Sequence, residues 1–162
     1  MNNVFLLTGG NLGDRLANLQ NAFKLVDELV GTVVKKSSIY QTAAWGLTDQ
    51  PSFLNQVLLC TTQLTAGQIL QTILLIEEQM GRKRFEKMGP RIIDIDILFY
   101  NDGVIDLPDL KVPHPEIINR RFVLEPLQEI APDYIHPALK RSIAELFSAC
   151  TDPLEVKMLQ QA

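Results

Sequence analysis

The chain has 162 residues, 46% of them apolar and 21% charged, and a formal net charge of −4. This suits one domain, 1–162, with a proper core, and the acidic balance argues against general nucleic-acid binding, so any anion site has to be a local basic patch. No basic residue precedes the first apolar run, Val4 to Leu7, which is too short for a signal peptide or membrane span, so the expected setting is the cytoplasm.

Residues 4–7 read as a short buried strand, followed by a tight turn at Gly9-Gly10-Asn11-Leu12-Gly13. Asp14 can cap a helix with apolar positions Leu16, Leu19, Phe23, Val26 and Val30, spaced three and four apart, and Gly31 can end it as a C′ glycine. Residues 33–40 and 53–62 read as the second and third strands. Cys60 falls in the third and is expected as a reduced core thiol, like the unpaired Cys150. Thr65 with Gln68 makes a capping box for a helix that buries Ile69, Ile73, Ile76 and Met80. A fourth strand covers 92–100. Past Asp102 the chain is loop-rich, with helices expected near 119–129 and 141–149, and the last dozen residues are expected to fray. The order β-α-β-β-α-β predicts an α+β, ferredoxin-like fold: an antiparallel sheet with helices on one face and the other face open for a site.

The chemistry concentrates in Gly89-Pro90-Arg91-Ile92-Ile93-Asp94-Ile95-Asp96-Ile97-Leu98. Side chains alternate along a strand, so Asp94 and Asp96 share one face, roughly 6–7 Å apart, while Ile93, Ile95, Ile97 and Phe99 are expected on the other. Such a pair can hold two metal ions about 3.5–4 Å apart, and hard oxygen ligands without nearby Cys or His favour magnesium over zinc. The segment from Arg82 to Arg91 holds five basic residues. Carboxylates beside a cationic loop match a magnesium-bound nucleotide. Phe53 and Asn55, at i and i+2, place a ring beside a carboxamide, which suits a flat heterocycle. Each feature also has a plain reading: a solvated strand face, a solvated basic loop, a core phenylalanine. No Walker A or GxGxxG motif occurs.

Together these segments resemble the 6-hydroxymethyl-7,8-dihydropterin pyrophosphokinases of folate synthesis. The resemblance runs from Thr8-Gly9-Gly10-Asn11-Leu12-Gly13-Asp14 to Ile130-Ala131-Pro132, and its most specific element is Gly-Pro-Arg-x-x-Asp-Ile-Asp-Ile-Leu. It implies transfer of pyrophosphate from ATP to the pterin hydroxymethyl group, releasing AMP, with two Mg²⁺ ions on Asp94 and Asp96. It further implies a catalytic set of Arg82, Arg91, Asp94 and Asp96, and a pterin site of Thr42, Ala43, Trp45, Phe53, Asn55, Asp94 and Phe122. The implied nucleotide side is Leu74, Glu77, Arg82, Arg84, Arg91, Ile97, Lys111, His114, Pro115 and Arg120. Leu74 stands where the family often has a glutamine, and Met88 where it has a tryptophan. The expected partners are ATP and the hydroxymethyldihydropterin, with no nucleic acid and no membrane, and the expected state is a monomer. A non-catalytic sensor on the same scaffold would not need both acids and the arginine loop together. A single-strand RNA binder would not place acids on the open sheet face.

Overall fold

The computed structural model describes residues 1–43, 50–82 and 90–159. In chain order the elements are β1 (Asn2–Gly10), α1 (Arg15–Leu29), β2 (Thr32–Lys36), β3 (Tyr40–Thr42), β4 (Phe53–Thr62), α2 (Ala66–Gln79), β5 (Asp94–Tyr100), β6 (Ile105–Leu107), β7 (Leu110–Val112), a 3₁₀ turn (Ile117–Asn119), α3 (Arg121–Ile130), α4 (Ile143–Ala149) and β8 (Val156–Met158). The main sheet runs β5-β1-β4-β3-β8, with β2 also on β4, and its pairs are antiparallel. This is the ferredoxin-like core expected from the sequence. β6 and β7 form a separate hairpin inside the stretch expected to be loop.

Local chemistry sets the helix ends. The Asp14 carboxylate accepts from the Ala17 amide, and Thr65 and Gln68 close their reciprocal box. Gly31 has an ordinary negative-φ backbone, so it is not a left-handed cap. It is needed because a Cβ there would lie 2.1 Å from the Thr61 carbonyl oxygen. α1 buries Leu19, Ala22 and Val26, and α2 buries Ile69, Ile73 and Ile76, against Val4, Leu6, Leu54, Leu58, Ile95 and Ile97 of the sheet.

Four expectations need correcting. The strand expected over 33–40 is two strands. The Ser37 hydroxyl accepts from the Val57 amide while its carbonyl is taken by Gln56, and Ser38 bonds Glu129 through both amide and hydroxyl. The Ser37 amide still donates to the Val57 carbonyl, but beyond it side-chain hydrogen bonds take over from the ladder and break the strand. Phe99 does not share a face with Ile95 and Ile97. Leu6 pairs with Ile97 but Phe5 pairs with Phe99, so Leu98 is an extra residue on β5. This bulge reverses the alternation beyond it, and Leu98 and Phe99 both join a second core with Phe5, Leu7 and Val57. The face expected to be open is accordingly covered at that end by Val123, Leu124 and Leu127 of α3 and Ile143 and Leu146 of α4. Finally, the tail expected to fray supplies β8, which pairs Val156–Met158 with Tyr40–Thr42.

Candidate active site

What α3 and α4 leave uncovered is the end of the sheet where β5, β1 and β4 run side by side. The register aligns two rows of residues across it: Asp94, Gly9 and Asn55, and beyond them Asp96, Leu7 and Val57. Asp94 and Asn55 are therefore two inter-strand steps apart, about 10 Å, with a glycine between them. That row floors a cavity of about 460 Å³ lined by Leu7, Gly9, Thr42, Ala43, Phe53, Asn55, Arg91, Asp94, Asp96, Glu116, Arg120 and Phe122.

The Asn55 side chain rests on the Gly9 backbone, where a Cβ would lie 2.2 Å from its Oδ1. Asn55 is only 4% exposed, yet its Nδ2 has no hydrogen-bond partner among the described residues. An unmet buried donor is costly and native proteins seldom retain one; this one belongs to a residue that lines the cavity. Phe53 and Phe122 supply aromatic walls, each with a guanidinium over its ring: Arg91 at 5.6 Å from the Phe53 centroid and Arg120 at 5.8 Å from that of Phe122.

The acidic end is dense with charge. Arg82 Nη1 bridges Glu77 Oε2 at 2.8 Å and Asp94 Oδ1 at 2.6 Å, and Arg91 Nη1 meets Asp94 Oδ2 at 3.1 Å. Glu77, almost fully buried, also accepts from the Ile95 amide, which ties α2 to the start of β5. Burial alone would lower the pKa of Arg82, but Asp94 and Glu77 outweigh it and hold the guanidinium firmly protonated. Asp96 makes no ion pair among the described residues, and Arg120 and Arg82 act on it only weakly. Burial, then the charges of Asp94 and Glu77, push its carboxyl up to about 7. Beyond Asp96 a smaller cleft of about 290 Å³ lies between α2, β5 and the β6–β7 hairpin, lined by Leu70, Ile73, Ile97, Pro108, Lys111, His114 and Pro115 among others. The His114 pKa is lowered by burial and by Arg120, so its imidazole is neutral at pH 7.

The sequence model of one family, described as 7,8-dihydro-6-hydroxymethylpterin-pyrophosphokinase (HPPK), matches residues 5–132. The chain belongs to the HPPK family. It is 42% identical over 145 residues to the 2-amino-4-hydroxy-6-hydroxymethyldihydropteridine pyrophosphokinase of Aquifex aeolicus, covering 90% of each chain. It is 41% identical over 139 residues to the enzyme of the same name from Synechocystis, covering 85% of this chain and 71% of that one. In structure it is similar to the HPPK-DHPS of Plasmodium falciparum crystallised with pteroate, with a TM-score of 0.77 at 20% identity. That match covers 91% of this chain and 42% of the other, and it shows the shared fold.

Of the residues that the HPPK resemblance singled out, Thr42, Ala43, Phe53, Asn55, Arg91, Asp94, Asp96, Arg120 and Phe122 meet in the larger cavity. Ile97, Lys111, His114 and Pro115 line the smaller one, although the Lys111 ammonium pairs with exposed Asp106. Arg82 and Glu77 join the site through Asp94. Leu74 lines neither cavity and is 39% exposed on α2. Trp45 and Arg84 lie outside the described residues. Leu7 and Glu116 were missed, and Gly9 was expected only as part of a tight turn near the site. The places of Gly9 and Leu7 were hidden because only the strand register shows that they lie between the acids and β4. Nothing in the local sequence marks Glu116.

Proposed function

We propose that this chain transfers pyrophosphate from ATP to the hydroxymethyl group of 6-hydroxymethyl-7,8-dihydropterin, in folate biosynthesis. The observation that carries the reading is the row Asp94–Gly9–Asn55, with a waiting carboxamide donor at one end and a carboxylate between two arginines at the other. A flat pterin lies on the side-chain-free floor at Gly9, between Phe53 and Phe122, with its polar edge on Asn55 beside Thr42 and Ala43. Its hydroxymethyl arm then points along the row to Asp94. The arm's oxygen gives up its proton to water and bonds to the β-phosphorus, the bond from that phosphorus to the α–β bridging oxygen breaks, and AMP leaves with that oxygen. Arg82 and Arg91 are well placed to move from Asp94 onto the phosphates, where they bind charge as it shifts. Ile97 and His114 face the base and ribose.

The donor set fits magnesium. Among the described residues no three His, Cys, Asp or Glu side chains form a closed metal cage, and Mg²⁺ in nucleotide sites takes one or two carboxylates plus phosphate oxygens. Asp94 and Asp96 supply two carboxylates, and at Asp96 the charges of Asp94 and Glu77 outweigh those of Arg120 and Arg82, an imbalance that a cation would relieve. Bound there, two ions would neutralise phosphate charge and lower the proton affinity of the hydroxyl. We further propose that the chain works as a single-domain monomer in the cytoplasm. No helix among the described residues is long and apolar enough to cross a membrane. The test is formation of AMP from ATP dependent on hydroxymethyldihydropterin and on Mg²⁺. Absence of AMP with both substrates and metal present would overturn the reading.

A further inference from the structure

The turn after β1 holds a contact set that the roles above do not use. Asn11 is 2% exposed, and its carboxamide is filled by two separate parts of the chain, residues 50–51 and Arg91. Its Nδ2 donates to Gln50 Oε1 at 2.8 Å and to the Pro51 carbonyl at 3.0 Å, while its Oδ1 accepts from the Arg91 amide at 2.9 Å. The Asn11 amide in turn donates to the Arg91 carbonyl at 2.9 Å. One turn on, Arg15 Nη1 reaches the Ser52 carbonyl at 3.0 Å and its hydroxyl at 2.9 Å, and Gln41 Nε2 donates to the same hydroxyl at 3.0 Å. The segment Gln50-Pro51-Ser52 leads directly into Phe53, and Arg91 leads into β5. The guanidinium of Arg91 lies over the Phe53 ring.

Phe53 belongs to the ring side of the cavity and Arg91 to the phosphate side. Their backbones come from strands that are not neighbours, since β1 lies between β4 and β5. The ladder through β1 ends at Gly10↔Leu54 and Gly9↔Asp94, short of 53 and 91. Past those rungs the Asn11 and Leu12 amides hold the Arg91 carbonyl, and the Asn11 carboxamide adds the link from the Arg91 backbone to that of Pro51, two residues before the ring. A buried carboxamide with donor and acceptor both engaged has little freedom to shift without leaving a group unmet.

We infer that Asn11 is a positioning residue that holds Phe53 and Arg91 in one register, with Arg15 as a second clamp on the Phe53 arm alone. This rests on the pterin and phosphate roles proposed above. The carboxamide makes the two halves of the site a unit, so that the ring platform and the phosphate arm are set together.

The test compares Asn11→Ala, which releases both arms, with Arg15→Met, which releases only the Ser52 arm. Binding of an unreactive pterin analogue and of a non-hydrolysable ATP analogue is measured by calorimetry on variants whose melting curves show them folded, and exchange of the Arg91 amide is followed by NMR. Asn11→Ala is expected to weaken both ligands about tenfold, the scale of a lost buried hydrogen bond, and to speed Arg91 amide exchange. Arg15→Met is expected to weaken the pterin analogue several-fold and leave the nucleotide analogue and the Arg91 amide unchanged. In a Phe53→Leu background, Asn11→Ala should lose most of its effect on the pterin analogue, because coupled sites are non-additive. A drop in melting temperature with both affinities within about twofold of the parent would overturn the inference. Should Asn11→Ala not fold, Arg15→Met decides it: equal losses for both ligands, or none, would also overturn it. An unchanged Arg91 amide in Asn11→Ala refutes the clamp even if the parent makes no AMP, whereas a parent without AMP formation and with a released amide refutes only the reaction.

Discussion

Replacing Gly9 with alanine tests the floor of the site without touching any group proposed to contact substrate through its side chain. The new Cβ would lie 2.2 Å from Asn55 Oδ1 and 3.2 Å from both its Cγ and the Leu54 carbonyl. Non-bonded atoms settle at about 3.5 Å, so the oxygen has to retreat by roughly 1 Å. The β4 backbone is locked opposite β1, with Gly9 paired to Asn55 itself, so the carboxamide turns and carries its unpartnered Nδ2 away from the cavity. Overpacking of this kind costs about 1–3 kcal/mol of stability. A misdirected donor costs the pterin a further ~1–3 kcal/mol, or roughly 5- to 150-fold in affinity. The nucleotide analogue should bind within about twofold of normal, because the displaced group lies at the far end of the row from Asp94. Titration calorimetry with the two analogues measures both. A folded Gly9→Ala protein that binds the pterin analogue normally would refute the argument, since Asn55 would not then be reading the ring.

Asp94→Ala and Asp96→Ala should each lower AMP formation by several orders of magnitude at saturating magnesium while the protein stays folded, and near-normal turnover in either would remove the acids from the mechanism. The Asp96 carboxyl, raised to about 7 from 3.8, keeps its proton in the fold after the unfolded chain has lost it, so its contribution to stability falls as pH rises from about 4 to about 7. In EDTA the melting temperature should decline more steeply across that window than it does for Asp96→Asn, and parallel slopes would contradict the assigned burial. Burial, helped by Asp27, lifts the Cys60 thiol to about 12. Alkylation at pH 8 should therefore reach half-buried Cys150 and spare fully buried Cys60 until the protein unfolds, as peptide mapping would show.

The acid pair was legible because strand alternation is a strong local rule. Asp94 and Asp96 fall on one face and Ile95 and Ile97 on the other, as written in the sequence. The same rule failed three residues later, at Phe99, because a bulge is a property of the pairing between β1 and β5 and not of either strand alone. Asp14 and Thr65 were readable as caps from side-chain chemistry; Ser142 with Glu145 closes a further capping box at the start of α4, where only a helix near 141–149 was expected. Phe53 and Asn55 were visible as neighbours on one face, but the glycine that gives Asn55 its place belongs to another strand, 46 positions away in the numbering. The split at Ser37 and Ser38 depends on Gln56 and Glu129, again distant partners that no local window contains. Gly31 looked like a cap because glycine there usually is one; its actual reason, the passing Thr61 carbonyl, comes from β4.

β8 is a three-residue strand with Lys157 at its centre, laid along the outer side of β3. Without it, the outward amides and carbonyls of Tyr40–Thr42 would be free to pair with a strand from another molecule, the route by which exposed sheet edges polymerise. A strand this short and charged makes a poor template itself, so the sheet ends there. The Thr42 hydroxyl also donates to the Glu155 carbonyl just before β8, and Thr42 lines the larger cavity. The contact that keeps one molecule from adding to the next is thus also part of the wall against which the ring is proposed to lie, and chains cut before Val156 should lose solubility and pterin affinity together.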